Sequence, residues 1–428
     1  MNCSISSPMR KSKNMGIDRR RFIKSMMLTS GLPLAQRLAP ADSKAASTPS
    51  FANATTTYDV AVIGAGVFGA WTAYHLSKAG KKVVLVDAYG PGNSRSTSGG
   101  ESRIIRMGYG AKEFYTRWSM RSLAQWQQLS AAGGLPLFHR TGVLWLAPPG
   151  DKEAINTLAT LTRVGVKFER LSARDLEKRF PQINYEGIDL GIFEPESGSL
   201  MARRCVQTVV AAAVANGVTY MEAKAEAPIA KGRIAAVQTS VGELRAGTFA
   251  FACGPWLGKV FPQILGDRIA VIRREVFFFG IPAGDTRFSP PAMPAWIIKA
   301  EDSYGMPDLE SRGFKAALTV HDTRVDPDTQ SRVVESEAIA EMRAFIARRF
   351  PALTNAPIVE TRVCQGEYTS SLDFLIDRHP DFENVWMVGG GSGHGFKHGP
   401  AVGEYVAERI IEGGPVEELF RLSQKNSV

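Results

Sequence analysis

Cysteine is scarce in this chain, with four among 428 residues, at positions 3, 205, 253 and 364. No two of them stand at metal-ligand spacing. An odd number remains once Cys3 leaves with an N-terminal leader, which argues against both a metal centre and a disulfide framework. An apolar run long enough to cross a membrane is also missing: the stretch after Phe22 is short and broken by Ser, Thr, Gly and Pro. Net charge is nearly absent outside the leader. Residues 1–41 hold eight Lys or Arg against one acid, so they carry +7 of the formal +9 and leave +2 for the rest. Such a body offers no electrostatic case for nucleic acid or an anionic membrane surface. Internal repeats and low-complexity blocks are lacking too. With 44% hydrophobic and 22% charged residues, the composition is that of a soluble globular protein longer than one typical domain.

The leader itself has a pattern. Asp18-Arg19-Arg20-Arg21-Phe22-Ile23-Lys24, a modest apolar run and Ala39-Pro40-Ala41 look like a twin-arginine export signal over residues 1–41. Residues 42–57, rich in Ala, Ser and Thr, read as a linker. The expected location is the periplasm and the expected partner is the twin-arginine machinery. That route carries folded proteins.

The chain is organised around Tyr58 to Arg106. Tyr58 to Ile63 reads as a strand, Gly64-Ala65-Gly66-Val67-Phe68-Gly69 as a turn, the stretch to Lys78 as a helix, and Lys82 to Val86 as a second strand ending on Asp87. Gly64 permits the turn, Gly66 lets backbone approach a pyrophosphate, and Gly69 lets helix and strand pack closely. The helix N-terminus suits a dianion, and Asp87 can accept the hydrogen bonds of an adenosine ribose. These residues predict a dinucleotide site.

Further on, helices are expected over 112–131, 152–163, 201–215 and 335–350. Strands are expected at 248–252, delivering a turn at Gly254, and at 269–281, 313–320 and 384–388. Dinucleotide-type segments alternate with a β-rich insertion, which predicts an α/β protein, α+β overall. A Rossmann-like domain (58–132, 200–268 and 361–413) would be interleaved with a β-rich substrate domain (133–199 and 269–360).

Two motifs carry a resemblance. Ser98-Gly99-Gly100-Glu101-Ser102-Arg103-Ile104-Ile105-Arg106-Met107-Gly108-Tyr109-Gly110 and Gly389-Gly390-Gly391-Ser392-Gly393-His394-Gly395-Phe396-Lys397 resemble the monomeric sarcosine oxidase family of FAD-dependent amine oxidases. The resemblance spans about Tyr58 to Gly413, although the family's usual histidine is Gly99 here. It implies FAD as cofactor, with Arg103 near the flavin ring and His394 beside it. Arg106 and Lys397 would clamp a substrate carboxylate. Lys315, 11 positions before Asp326-Pro327-Asp328, would promote reaction with oxygen; otherwise it is a strand-edge lysine. Gly391, Gly393 and Gly395 would let loop amides approach the reduced flavin. Cys364 stands where members attach FAD covalently if one counts back without gaps from Asp377-Arg378-His379-Pro380. Sliding to match the family's Cys-x-Tyr-Thr on Tyr368-Thr369 puts Gly366 there instead.

The implied reaction removes a hydride from the α C–H of an amino acid or N-alkyl amino acid. The imine hydrolyses and O2 becomes H2O2. Transfer to a carrier in place of oxygen, an NAD(P)-linked enzyme and a non-catalytic flavin-binding maturation factor are the competing expectations.

Overall fold

The computed structural model describes residues 57–132, 134–229 and 231–428. The twin-arginine segment, and the linker except for Thr57, lie outside the described residues. Among these, no helix is long and apolar enough to cross a membrane, and no cluster of His, Cys, Asp and Glu could hold a metal ion.

The first sheet runs, in spatial order, Leu375–Arg378, Val385–Gly389, Gly242–Phe251, Thr57–Ile63, Val83–Asp87 and Thr219–Glu222, with Ala236–Thr239 pairing beside Gly242–Phe251. Its five inner pairings around Thr57–Ile63 and Gly242–Phe251 are parallel except for Ala236–Thr239. Parallel strands are covered on both faces. Accordingly Val60 to Ile63 and Val83 to Val86 are buried without alternation. On one face the helix Val67–Lys78 crosses the helix Gly399–Glu412, and the crossing is close because residue 403 is glycine: a Cβ there would overlap the Trp71 backbone.

The second sheet has the order Ile358–Tyr368, Ala270–Phe279, Phe314–Leu318, Ser303–Met306, Ala295–Ile298, Val143–Ala147, Leu190–Glu194 and Glu169–Ser172. It is antiparallel apart from Ala295–Ile298 on Val143–Ala147. The expected dinucleotide segment from 361 begins inside this sheet. Ile358–Tyr368 pairs with Ala270–Phe279 over almost its whole length, a long antiparallel partner. A three-stranded sheet, Arg103–Ile105, Gly198–Leu200 and Phe138–His139, fixes the segment that carries Arg103 and Arg106.

The fold positions a site simply. Thr57–Ile63, Gly242–Phe251 and Val385–Gly389 are neighbouring parallel strands, so their carboxyl ends deliver Gly64, Gly254 and Gly390 to one edge. Ligands bind outside that edge in open α/β sheets.

Candidate active site

A cavity of about 1340 Å³ opens at this edge and extends to the second sheet. Its lining includes Gly64, Asp87, Gly254, Arg103, Arg106, His394 and Lys397.

At one end, Gly64 has φ of 108°, and a Cβ on it would strike the carbonyl of Ala252 on the adjacent strand. A Cβ on Gly69 would overlap the Gly64 carbonyl, so helix and turn close only with glycine at both. The Asp87 carboxylate accepts the Ala65 N–H at 2.7 Å and the Tyr89 N–H at 2.9 Å. Burial pushes its pKa up, against the pull of these donors. Ser98 accepts the Val67 N–H at 3.1 Å, a capping contact from 31 residues away that has no local signal in the sequence. The helix start remains open to the cavity: a Cβ on Gly66 would meet only Ser98 Oγ, at 3.5 Å. An exposed turn of amides, an acid at the strand tip and a cavity larger than drug-sized pockets fit a dinucleotide.

In the middle, the Gly390 to Gly395 loop folds back on itself, with the Gly395 N–H donating to Gly391 at 2.7 Å. The Ser392 N–H ties it to Glu367 of the strand Ile358–Tyr368 at 2.8 Å. Arg103 donates to the Thr97 carbonyl at 2.6 Å and lies 5.9 Å from the centre of the Phe396 ring. Cys364 and Gly366, two apart on one strand, both line the cavity, so both candidate attachment positions face it. Cys253, expected as a small core residue, is half-buried and lines the cavity, and desolvation pushes its thiol pKa up to about 12.

At the far end Arg106 and Lys397, almost 300 positions apart in sequence, meet on one residue. The Arg106 guanidinium lies 4.3 Å from the Tyr109 ring centre and 4.4 Å from that of Trp145. Lys397 Nζ donates to Tyr109 Oη at 2.8 Å and to the His394 carbonyl at 2.9 Å. Neither cation forms an ion pair among the described residues. Lys397 is buried, and burial followed by repulsion from Arg106 holds its pKa well below 10.5. His398 is buried and pushed well below its ordinary value, so it is neutral. Tyr109 Oη and His398 Nε2 share a hydrogen bond at 2.7 Å, while the same phenol oxygen accepts from Lys397. His394 is held neutral by burial, its pKa pushed down to about 3, with Nε2 directed at the Leu372 carbonyl at 2.9 Å. Glu194 accepts the Met107 and Gly108 N–H groups at 2.7 and 2.9 Å and so pins the loop that carries Arg106.

Lys315 is placed differently from Arg106 and Lys397. It does not line the cavity; its Nζ donates to the Ser102 carbonyl at 2.9 Å and to Ser102 Oγ at 3.2 Å, behind Arg103. Burial, then repulsion from Arg103, lowers its pKa to about 7.

Sequence reasoning missed Tyr109, His398, Glu194 and Ser98. Tyr109 and His398 were within reach, being three residues from Arg106 and one from Lys397. Glu194 acts across 87 positions and nothing local marks it.

Residues 59–409 match the family model described as DAO, FAD dependent oxidoreductase. Peroxisomal sarcosine oxidase of Mus musculus is 29% identical, over 86% of this chain and 97% of the relative. Monomeric sarcosine oxidase of Bacillus sp. (strain B-0618) is 30% identical, over 84% of this chain and 93% of the relative. The structure of L-proline dehydrogenase from P. horikoshii superposes with a TM-score of 0.75 at 21% identity, over 85% of this chain and 96% of that one, which is a likeness of fold.

Proposed function

The chain belongs to the DAO family of FAD-dependent oxidoreductases, and on that footing we propose that it oxidises the α C–H of an amino acid or N-alkyl amino acid. One observation carries the substrate class: two cations, Arg106 and Lys397, converge on Tyr109 with no carboxylate to pair them. A buried, unpaired cation is costly, and a substrate carboxylate would satisfy both. The sarcosine oxidases to which the chain is similar are named for an N-methyl amino acid. Bound FAD supplies the two-electron acceptor. The chain's residues hold the substrate: Arg106 and Lys397 take the carboxylate, and Tyr109 with Trp145 fixes the guanidinium plane. No residue is assigned as a base, since a neutral amine requires none.

Dioxygen is the proposed electron acceptor, supported by the oxidase relatives. Transfer to a carrier is the second reading, favoured by the position of Lys315 behind the cavity wall rather than in it. Rapid aerobic recolouring of substrate-reduced protein supports the first, and slow recolouring the second. FAD attachment through Cys364 is also proposed, on its place in the cavity lining. Acid precipitation should then leave yellow flavin in the pellet, and Cys364→Ser should release it. Soluble wild-type flavin would instead favour the register with Gly366 at the attachment position.

The substrate class is tested with Arg106→Met and Lys397→Met. A charged hydrogen bond is worth about 1.5–3 kcal/mol, so either change should lower kcat/KM roughly ten- to a hundred-fold while FAD content stays constant. Equal wild-type activity on an amino acid and on its decarboxylated amine would overturn the assignment.

A further inference from the structure

Glu367 has no part in the substrate site, yet it is a buried acid, 7% exposed, in the lining of the same cavity. Its Oε2 accepts the Thr97 hydroxyl at 3.0 Å, and its Oε1 accepts the Gly391 N–H at 3.3 Å. A Cβ built on Gly254 would stand 3.8 Å from Oε2. Three segments thus converge on one carboxyl: the loop before Arg103, the turn after Gly242–Phe251 and the glycine loop after Val385–Gly389. Among the described residues no cation pairs with it. The nearest link to one runs through Thr97, whose carbonyl takes the Arg103 guanidinium at 2.6 Å while its hydroxyl serves Glu367.

Burying a carboxyl costs several kcal/mol unless it is paired, and packing alone would be served better by an apolar residue. Burial does push its pKa up, while the Thr97 and Gly391 donors oppose that shift. Each oxygen faces a donor, the Thr97 hydroxyl and the Gly391 N–H, and both contacts favour the ionised form.

We propose that Glu367 is a cofactor-facing residue whose negative charge opposes the electrons entering bound FAD and so holds the flavin reduction potential down. It is a tuning element built into the slot by Thr97 and Gly391. The inference rests on FAD as the cofactor and does not depend on which amine is oxidised.

The test uses the FAD-loaded enzyme, reduced chemically beside a reference dye with no substrate present. Glu367→Gln keeps the shape and removes the charge. The ratio of affinities for reduced over oxidised FAD should rise about tenfold, an upward shift of roughly 30 mV for a two-electron couple. Glu367→Met is a second replacement that removes the charge, and it should likewise shift the potential upward. An unchanged or lower potential in Glu367→Gln overturns the proposal. A purely structural role would change the melting temperature of the apoprotein and leave the potential where it was. Should Glu367→Gln fail to hold FAD, Glu367→Met decides, and an unchanged or lowered potential there overturns it. Because electrons are supplied chemically, inactivity towards every amine would count against the substrate reading alone.

Discussion

Tyr109 joins the two cations that define the substrate end, and its phenol oxygen is where Lys397 and His398 meet. Lys397 donates to the phenol oxygen, which also shares a hydrogen bond with His398 Nε2, and the His398 Nδ1 is buried without a partner among the described residues. Tyr109→Phe removes the acceptor from Lys397 and should raise KM for a carboxylate substrate about tenfold, with a smaller change in kcat. The pH dependence has a definite sign. In free enzyme the Lys397 pKa lies well below 10.5, and an incoming carboxylate raises it. Substrate affinity is therefore full below the free-enzyme pKa, and it falls as pH rises from that value towards the pKa of the complex. Stopped-flow binding across pH should show this limb in the wild type and its loss in Lys397→Met; an unchanged limb in the variant would assign it elsewhere. Lys315 gives an independent case. It binds its proton with a pKa of about 7 in the fold and an ordinary 10.5 otherwise, so the folded state binds fewer protons between them. Its contribution to stability should rise with pH across that window, and denaturant titrations should find the difference gone in Lys315→Met.

At the level of elements, the crossing of Val67–Lys78 with Gly399–Glu412 aligns the two segments that face the cofactor. One helix starts at the Gly66 turn, and the other follows directly on Phe396 to His398. Gly403→Ala places a Cβ against the Trp71 backbone, which cannot rotate away. The helices should separate at a cost of about 1–3 kcal/mol, with weaker FAD retention because both cofactor-facing ends shift together. Urea denaturation and flavin release on dilution measure the two effects. Most long elements were legible in the sequence. The helices Glu113–Ala132, Ala202–Ala215 and Ser336–Arg349 and the strands Ala270–Phe279 and Phe314–Leu318 lie within a few residues of their expected bounds, since periodicity or an apolar run marks each one. The short strands Ala295–Ile298 and Ser303–Met306 were not, because four residues carry no readable period. The pairing of Ile358–Tyr368 was likewise hidden, being decided by a partner some 90 positions away. In the site, glycines and cations stood out because turn chemistry and charge are local properties. Glu194, Ser98 and Glu367 work through contacts formed only when distant loops meet.

For the whole molecule, the cofactor edge is assembled from strands that begin at 57, 242 and 385, so FAD would bridge segments spread over most of the described chain. Removing it should therefore loosen the body as a unit rather than one lobe. Ligand that binds only the folded state stabilises by about 2.7 kcal/mol at a hundredfold excess over its Kd, which for a domain of this size corresponds to a melting temperature several degrees higher. Loss of FAD should lower the transition and leave it single. Two separated transitions in the apoprotein, one of them unaffected by FAD, would show that the sheets unfold independently. The same coupling bears on export. If Arg19 and Arg20 form a twin-arginine signal, FAD binding would come before transport, since that route carries folded proteins and a ligand of the folded state stabilises it. Replacing both arginines with lysine should then leave precursor in the cytoplasm with flavin bound. Restricting riboflavin should reduce periplasmic protein even with the arginines intact. Periplasmic accumulation that ignores both manipulations would break the link between cofactor loading and location.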